Sequence, residues 1–140
     1  MIHRILQPAG WTPPRGYANG IAARGTLVSI SGQIGWNGAC EFESDDFVAQ
    51  SAQALRNLLA VLAEAGGGPE HVVRMTWYVR SRRDYLEAGR ALGAAYRTLM
   101  RAPDGAAWYP AMSAVEVSAL MEERALVEIE ATAVIPDAPA

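Results

Sequence analysis

The chain has 140 residues and a mass of 15.0 kDa, is 51% hydrophobic and only 19% charged, and carries a net charge of -3 with a pI near 5.3. That length fits one domain around one core, so residues 1–140 are read as a single domain, and an apolar fraction this high predicts surface covered by further copies of the chain. The acidic balance and scattered arginines exclude the basic field that binds nucleic acid by counterion release.

In chain order, the run from Met1 to Pro8 lacks an apolar core followed by a cleavage site, and no apolar run approaches the ~18 residues of a membrane span. A soluble, cytoplasmic protein is therefore expected. Arg4-Ile5-Leu6 suits a short edge strand before a loop broken by Pro8, Gly10, Pro13 and Pro14. Ala18 to Ala23 and Thr26 to Ile34 suit two strands, with Arg24-Gly25 as the turn of a β-hairpin. The following loop carries Cys40, the only cysteine, which excludes an internal disulfide and reads as a bystander thiol. Ser44 is placed to cap a helix starting near Asp45, whose apolar stripe is Val48, Ala52, Leu55, Leu59 and Leu62 and which ends at Gly66-Gly67-Gly68-Pro69.

Val73, Met75, Trp77 and Val79 alternate with Arg74, Thr76, Tyr78 and Arg80, the period-2 pattern of a half-buried strand. A second helix is predicted from Asp84 to Leu99, with Tyr85, Leu92 and Tyr96 facing inward and Gly89 and Gly93 weakening it. Two strands close the chain, Ser113 to Leu120 and one carrying Val127, Ile129, Ala131 and Ala133, joined by a charged turn at Glu122-Glu123-Arg124. The order βββαβαββ defines an α+β protein with one sheet and two helices on one face. Because Trp77, Val127 and Ile129 cannot all stand in water, the other face is expected to pack against neighbouring subunits. His3 and His71 read as surface residues and offer no ligand set, so no metal is expected.

Several segments in this order resemble the RidA/YjgF family. They are Gly16-Tyr17-Ala18-Asn19-Gly20, Ser31-Gly32-Gln33-Ile34, Gln50 through Gln53, Asn57-Leu58, and Val61-Leu62 to Ala65-Gly66. Later come Val72-Val73-Arg74 with Val79, Tyr96, Tyr109-Pro110-Ala111, and Val127-Glu128-Ile129-Glu130-Ala131. Each is weak singly and the ordered set is specific. The resemblance implies a homotrimer of chorismate mutase-like subunits with small-molecule pockets between them. It further implies hydrolysis of reactive imines or enamines to carbonyl compounds and ammonia, with no cofactor.

Hydrolysing C=N needs a polarised nitrogen, a positioned water and a held substrate. Glu128 matches the family's acidic residue and is the expected catalytic group. Tyr17, Ser31 and Gly32 match pocket positions, where a phenol, a hydroxyl and a bare backbone can meet a ligand. Trp108, just ahead of the pocket motif, could stack on a flat ligand. Met112 stands where the family's deaminases carry an arginine that clamps the substrate carboxylate, and a thioether cannot supply that charge. Three outcomes stay open: a substrate without a carboxylate, another arginine such as Arg15, Arg97 or Arg101 in the pocket, or binding without turnover. Plainer roles also stay open, with Glu128 and Glu130 as partners in interface ion pairs, Tyr17 as a loop anchor, Ser31 bonded to backbone and Met112 as core filler. The alternative to an enzyme is a metabolite-binding or regulatory trimer. A third class, ribonuclease or translation inhibition, is opposed by the acidic balance, and Gly32-Gln33-Ile34-Gly35 lacks the helix-loop-helix setting of an RNA-binding GxxG.

Overall fold

The computed structural model describes residues 3–138, so the part of the N-terminal reading that falls on Met1 and Ile2 lies outside the described residues. The elements are β1 (Arg4–Leu6), β2 (Gly20–Ala22), β3 (Thr26–Ile34), α1 (Phe47–Glu64), a 3-10 turn (Pro69–His71), β4 (Val72–Val79), α2 (Arg82–Glu87), α3 (Gly89–Leu99), β5 (Ala111–Glu116) and β6 (Val127–Ile135). This is the expected mixed α+β order, with the second helix split in two.

Four strands form the main sheet in the order β3-β6-β4-β5, and β1 and β2 form a separate two-stranded one. The expected hairpin between β2 and β3 is therefore not formed. β2 runs antiparallel to β1, whereas β3 runs antiparallel to β6 from Thr26↔Ile135 to Ile34↔Glu128. Gly25 lies between them with φ +145, and its backbone presses so close to the Ile135 carbonyl that a Cβ there would collide with it. The Arg24-Gly25 turn thus passes the chain from one sheet to the other instead of folding it back. β4 is paired antiparallel to β6 and parallel to β5.

Side chains of one sheet face build the core. Met75, Trp77 and Val79 of β4 and Val127, Ile129, Ala131 and Ala133 of β6 pack with Leu55, Leu58 and Leu62 of α1 and Leu92 and Tyr96 of α3. Trp77, Val127 and Ile129 are 2%, 0% and 0% exposed within the single chain. They do not argue for a covered second face, because the helices already cover them. The open face is largely polar: Thr132, Glu130 and Glu128 stand beside Arg74 (across the strand irregularity), Thr76 and Tyr78, with Ser29 beyond. Its apolar members are mainly at the outer strands, where Leu27 is 65% and Val115 46% exposed.

α1 begins later than expected. Asp46, not Ser44, is the N-cap, accepting from the Ala49 amide at 2.9 Å, while Ser44 Oγ accepts from the Asp46 amide at 3.0 Å. The buried stripe is Phe47, Gln50, Ser51, Ala54, Leu55, Leu58 and Leu62. It is rotated from the purely apolar stripe because two polar residues, Gln50 and Ser51, belong to it. The Gln50 amide is satisfied by three backbone groups: its Nε2 donates to the carbonyls of Ser44 and Arg124, each at 3.0 Å, and its Oε1 accepts from the Leu126 amide at 2.9 Å.

The remaining differences are local. The predicted helix from Asp84 starts at Arg82, with Ser81 capping Asp84 N at 3.0 Å, and breaks at Ala88. β5 ends at Glu116, so the expected turn Glu122-Glu123-Arg124 belongs to a loop over residues 117–126. His3 is buried, not surface, against the rings of His71 and Trp108, and His71 Nδ1 accepts from the Gly68 amide at 2.9 Å. Among the described residues no helix is long and apolar enough to cross a membrane and no cluster of three potential metal ligands occurs.

Gln50→Leu keeps the volume and leaves three partly buried backbone groups without the amide, so urea unfolding should show a loss of about 2–4 kcal/mol. Retention of full stability would mean that water replaces the amide.

Candidate functional site

A cavity of about 610 Å³ opens between β5, the β4 residue Trp77, α2, α3 and the loop ahead of β2. Parallel pairing of Met75 with Met112 and of Trp77 with Ala114 puts Met112 on the helix side of the sheet. Tyr17 arrives from the loop. The Ala18 amide donates to the Pro110 carbonyl at 2.9 Å and Ala18 bridges Ala111, which fixes Tyr17 beside the start of β5. Tyr17 and Met112 are thus brought together, and Arg15 and Arg97 line the same cavity. Arg101 does not: its Nη1 donates to the Gly105 carbonyl at 2.8 Å.

The walls are aromatic. Tyr96 stacks on Tyr109 with centroids 5.3 Å apart and 11° between planes, and Tyr85 meets Trp77 edge-on at 6.3 Å. Burial, with the neighbouring Tyr109, pushes the Tyr96 phenol far above its usual range, and burial also raises Tyr85. Both stay protonated, and Tyr96 donates to the Trp108 carbonyl at 2.6 Å. Trp108 itself is absent from the lining. Its indole donates to the Val72 carbonyl at 2.7 Å and its amide to the Met100 carbonyl at the same distance, so it clips the end of α3 to β4.

The other sequence-predicted residues lie elsewhere. Glu128 shares the open face with Tyr78, its register partner, while Met112 shares the opposite face with Met75. Ser31 and Gly32 sit at the register shift of β3 between Ile30 and Gln33, and Ser31 Oγ accepts from Gln33 Nε2 at 3.3 Å. Gly32 was expected to let a ligand approach its backbone. What comes close in this chain is Glu128, whose Cδ lies 2.6 Å from where a Cβ would stand. Next to it, Tyr78 donates to Glu130 at 2.7 Å, and this bond, followed by partial burial and the carboxylate charges, raises the Tyr78 phenol despite Arg74.

One chain therefore divides the candidate site into two half-sites. One is an aromatic cavity with Tyr17, Met112, Arg15 and Arg97; the other is a carboxylate patch with Ser31, Gly32 and Glu128. They lie on opposite sheet faces, with Ser31 and Gly32 on β3 and Met112 on β5 at opposite edges, about 14 Å apart at ordinary strand spacing. Of the cavity wall residues, Trp77 is one of the tryptophans whose ring suits stacking on a flat ligand, whereas Tyr85, Leu86 and Tyr109 are not singled out as ligand contacts from sequence. Tyr85 was marked only as inward-facing, and an inward pattern does not distinguish a core contact from a cavity wall.

This arrangement, a sheet with its helices on one face and a polar open face, is the chorismate mutase-like α+β fold. A family model described as Endoribonuclease L-PSP matches residues 9–135, and the chain belongs to that family, the RidA/YjgF proteins. It is 36% identical over 134 residues to a RutC family protein of Haemophilus influenzae, covering 96% of this chain and 95% of that one. It is 32% identical over 110 residues to a 2-iminobutanoate/2-iminopropanoate deaminase of Salmonella typhimurium, covering 79% and 80%. Among solved structures, the Rid family protein YyfB of Yersinia pestis, whose function is unknown, superposes with a TM-score of 0.78 at 33% identity, covering 96% of this chain and all (100%) of that one.

The raised Tyr96 predicts alkaline sensitivity. In the unfolded chain the phenol loses its proton near pH 10, in the folded chain only at higher pH, so stability present below pH 10 falls as pH rises beyond it. Denaturant titrations at pH 8 to 11 should show this slope reduced in Tyr96→Phe. That variant loses about 1 kcal/mol at pH 8 through the Trp108 carbonyl.

Proposed function

We propose that the protein is a cytoplasmic homotrimer that hydrolyses reactive imines or enamines to carbonyl compounds and ammonia, in pockets completed between adjacent copies. The separation of the two half-sites carries this reading. Residues that the family resemblance assigns to one pocket lie on opposite sheet faces here, and no rearrangement of side chains closes a gap of about 14 Å between edge strands. A head-to-tail interface that closes into a ring would set the β3 half-site of one copy against the β5 half-site of the next. The exposed Leu27 and Val115 give that interface apolar surface.

In such a pocket Glu128 takes a proton from water as its oxygen bonds to the imine carbon. The C=N π pair moves to nitrogen, which accepts a proton. In the resulting carbinolamine the hydroxyl proton passes by way of Glu128 to the amine nitrogen as the C–N bond breaks, releasing ammonia and leaving C=O. The sequence contains no lysine, so the carbon is attacked by water and not by a side-chain amine. Neither a metal nor an organic cofactor enters this scheme, and the net charge of -3 gives nucleic acid little to bind.

A second reading, a binder without turnover, is supported by one observation: no Asp or Glu lines the cavity of the single chain. The two part in one experiment. Imines generated fresh by an amino-acid oxidase are followed by ammonia release and semicarbazone competition, against controls without protein. On the enzyme reading the wild type accelerates hydrolysis and Glu128→Gln loses about 10²–10⁴-fold. Light scattering should give three times the 15.0 kDa of one chain. Ligand binding without any acceleration supports the binder.

A further inference from the structure

The cavity beside Met112 is lined by two arginines that no protein group occupies. Among the described residues, Arg56, Arg80, Arg83, Arg101 and Arg124 each donate to a carbonyl or carboxylate oxygen; Arg15 and Arg97 are among the arginines with no such partner, and they are the two that line this cavity. Among the described residues of the same chain no carboxylate lines the cavity to cancel their field. Their positions are set by different elements. Arg15 precedes the segment fastened by the Ala18 amide to Pro110, and Arg97 folds back along α3, its Nη1 3.0 Å from where a Cβ of Gly93 would stand. The bare backbone of Gly93 is the seat of that guanidinium.

Between and below these charges the surface is apolar and aromatic, with Tyr17, Trp77, Tyr85, Leu92 and Met112. The volume of about 610 Å³ equals that of about twenty liquid waters, far more than an imino acid with four carbons fills. A flat hydrocarbon body would use the ring faces, and Met112, polarisable and uncharged, suits contact with it.

We propose that Arg15 and Arg97 form an anion clamp over this cavity, and that its ligand class is a carboxylate carrying an aromatic or bulky apolar body. The inference deepens the imine-hydrolase reading by naming its substrate class, and binding can be tested apart from turnover. Two exposed guanidinium groups take over the charge recognition that Met112 cannot perform. They hold the acid at the solvent side while the rings take the body.

The test is calorimetric titration of the intact oligomer with phenylpyruvate, its uncharged methyl ester, and pyruvate, which has the acid without the body. Phenylpyruvate should bind about tenfold or more tightly than either of the others. Arg15→Gln and Arg97→Gln should each weaken it several-fold, and the double variant should bind acid and ester alike with the ester's affinity unchanged. Circular dichroism melting of these surface variants checks that the fold is kept. Equal affinity for acid and ester in wild type, no binding of phenylpyruvate, or unaltered phenylpyruvate affinity in the double variant overturns the clamp. Glu128→Gln separates the two proposals. If that variant remains fully active while the arginine variants lose binding, the hydrolytic mechanism fails and the clamp stands; if it is inactive while the double variant binds normally, the reverse holds.

Discussion

The parallel pairing of β4 with β5 is the constraint from which the site follows. Antiparallel strands can be joined by a tight turn, whereas parallel ones need a crossover that carries the chain back to its starting edge. Here that crossover is residues 80–110, and it holds α2 and α3 against the helix side of the sheet. The crossover is fastened at its far end. Tyr96 donates to the Trp108 carbonyl, the Trp108 amide to Met100 and the Trp108 indole to Val72, so α3, the return loop and the start of β4 are one unit. Near the middle the helix breaks at Ala88, and Gly89 and Gly93 present no side chain to fill the space toward β5. A wall fixed at one end and bare in the middle leaves a cavity instead of a packed seam.

A second set of bonds fixes the carboxylate half-site. Gln50 holds Arg124 and Leu126 immediately ahead of β6, which settles where that strand enters the sheet and therefore which residue faces Gly32. Asn57, seven residues along α1, donates to the carbonyls of Ile34 and Trp36 at 3.1 and 2.7 Å, and so positions the end of β3 from the same helix. One helix thus holds both strands that carry Ser31, Gly32 and Glu128. The two half-sites are held by hydrogen bonds from different helices, α1 for one and α3 for the other, although the two helices share one core.

Strong periodicity made part of this readable. The alternation in β4 and β6 identified Met75, Trp77, Val127 and Ile129 as one face, because a two-residue period needs no tertiary partner to be seen. The stripe of α1 is one position off at Val48, Ala52 and Leu59, where Phe47, Ser51 and Leu58 are the buried residues, since Gln50 and Ser51 are buried by hydrogen bonding and packing that hydrophobicity does not register. The false hairpin has the same origin. Gly25 signals a change of direction, and whether the chain folds back or moves to another sheet depends on Ile135, more than a hundred residues away. Family resemblance marked Tyr17, Ser31, Gly32, Met112 and Glu128, but motif order carries no information on which face a residue occupies, and the two half-sites were legible only once register was known.

The exchange of a strand-borne arginine for Met112, which the family resemblance implies, changes more than one charge. A guanidinium projecting from a strand is held by the pleat and its neighbours, so it is pre-organised and sets a fixed distance between carboxylate and reacting carbon. Arg15 on a loop and Arg97 on a helix surface are exposed, and each must lose rotamer freedom to grip an anion. Exposed charges are also screened, which lowers what each contact contributes. Recognition then shifts toward the apolar body of the ligand, where burial of aromatic surface contributes about 25 cal/mol for each Å² removed from water. A site built this way discriminates among acids by what hangs behind the carboxylate more than by the carboxylate itself.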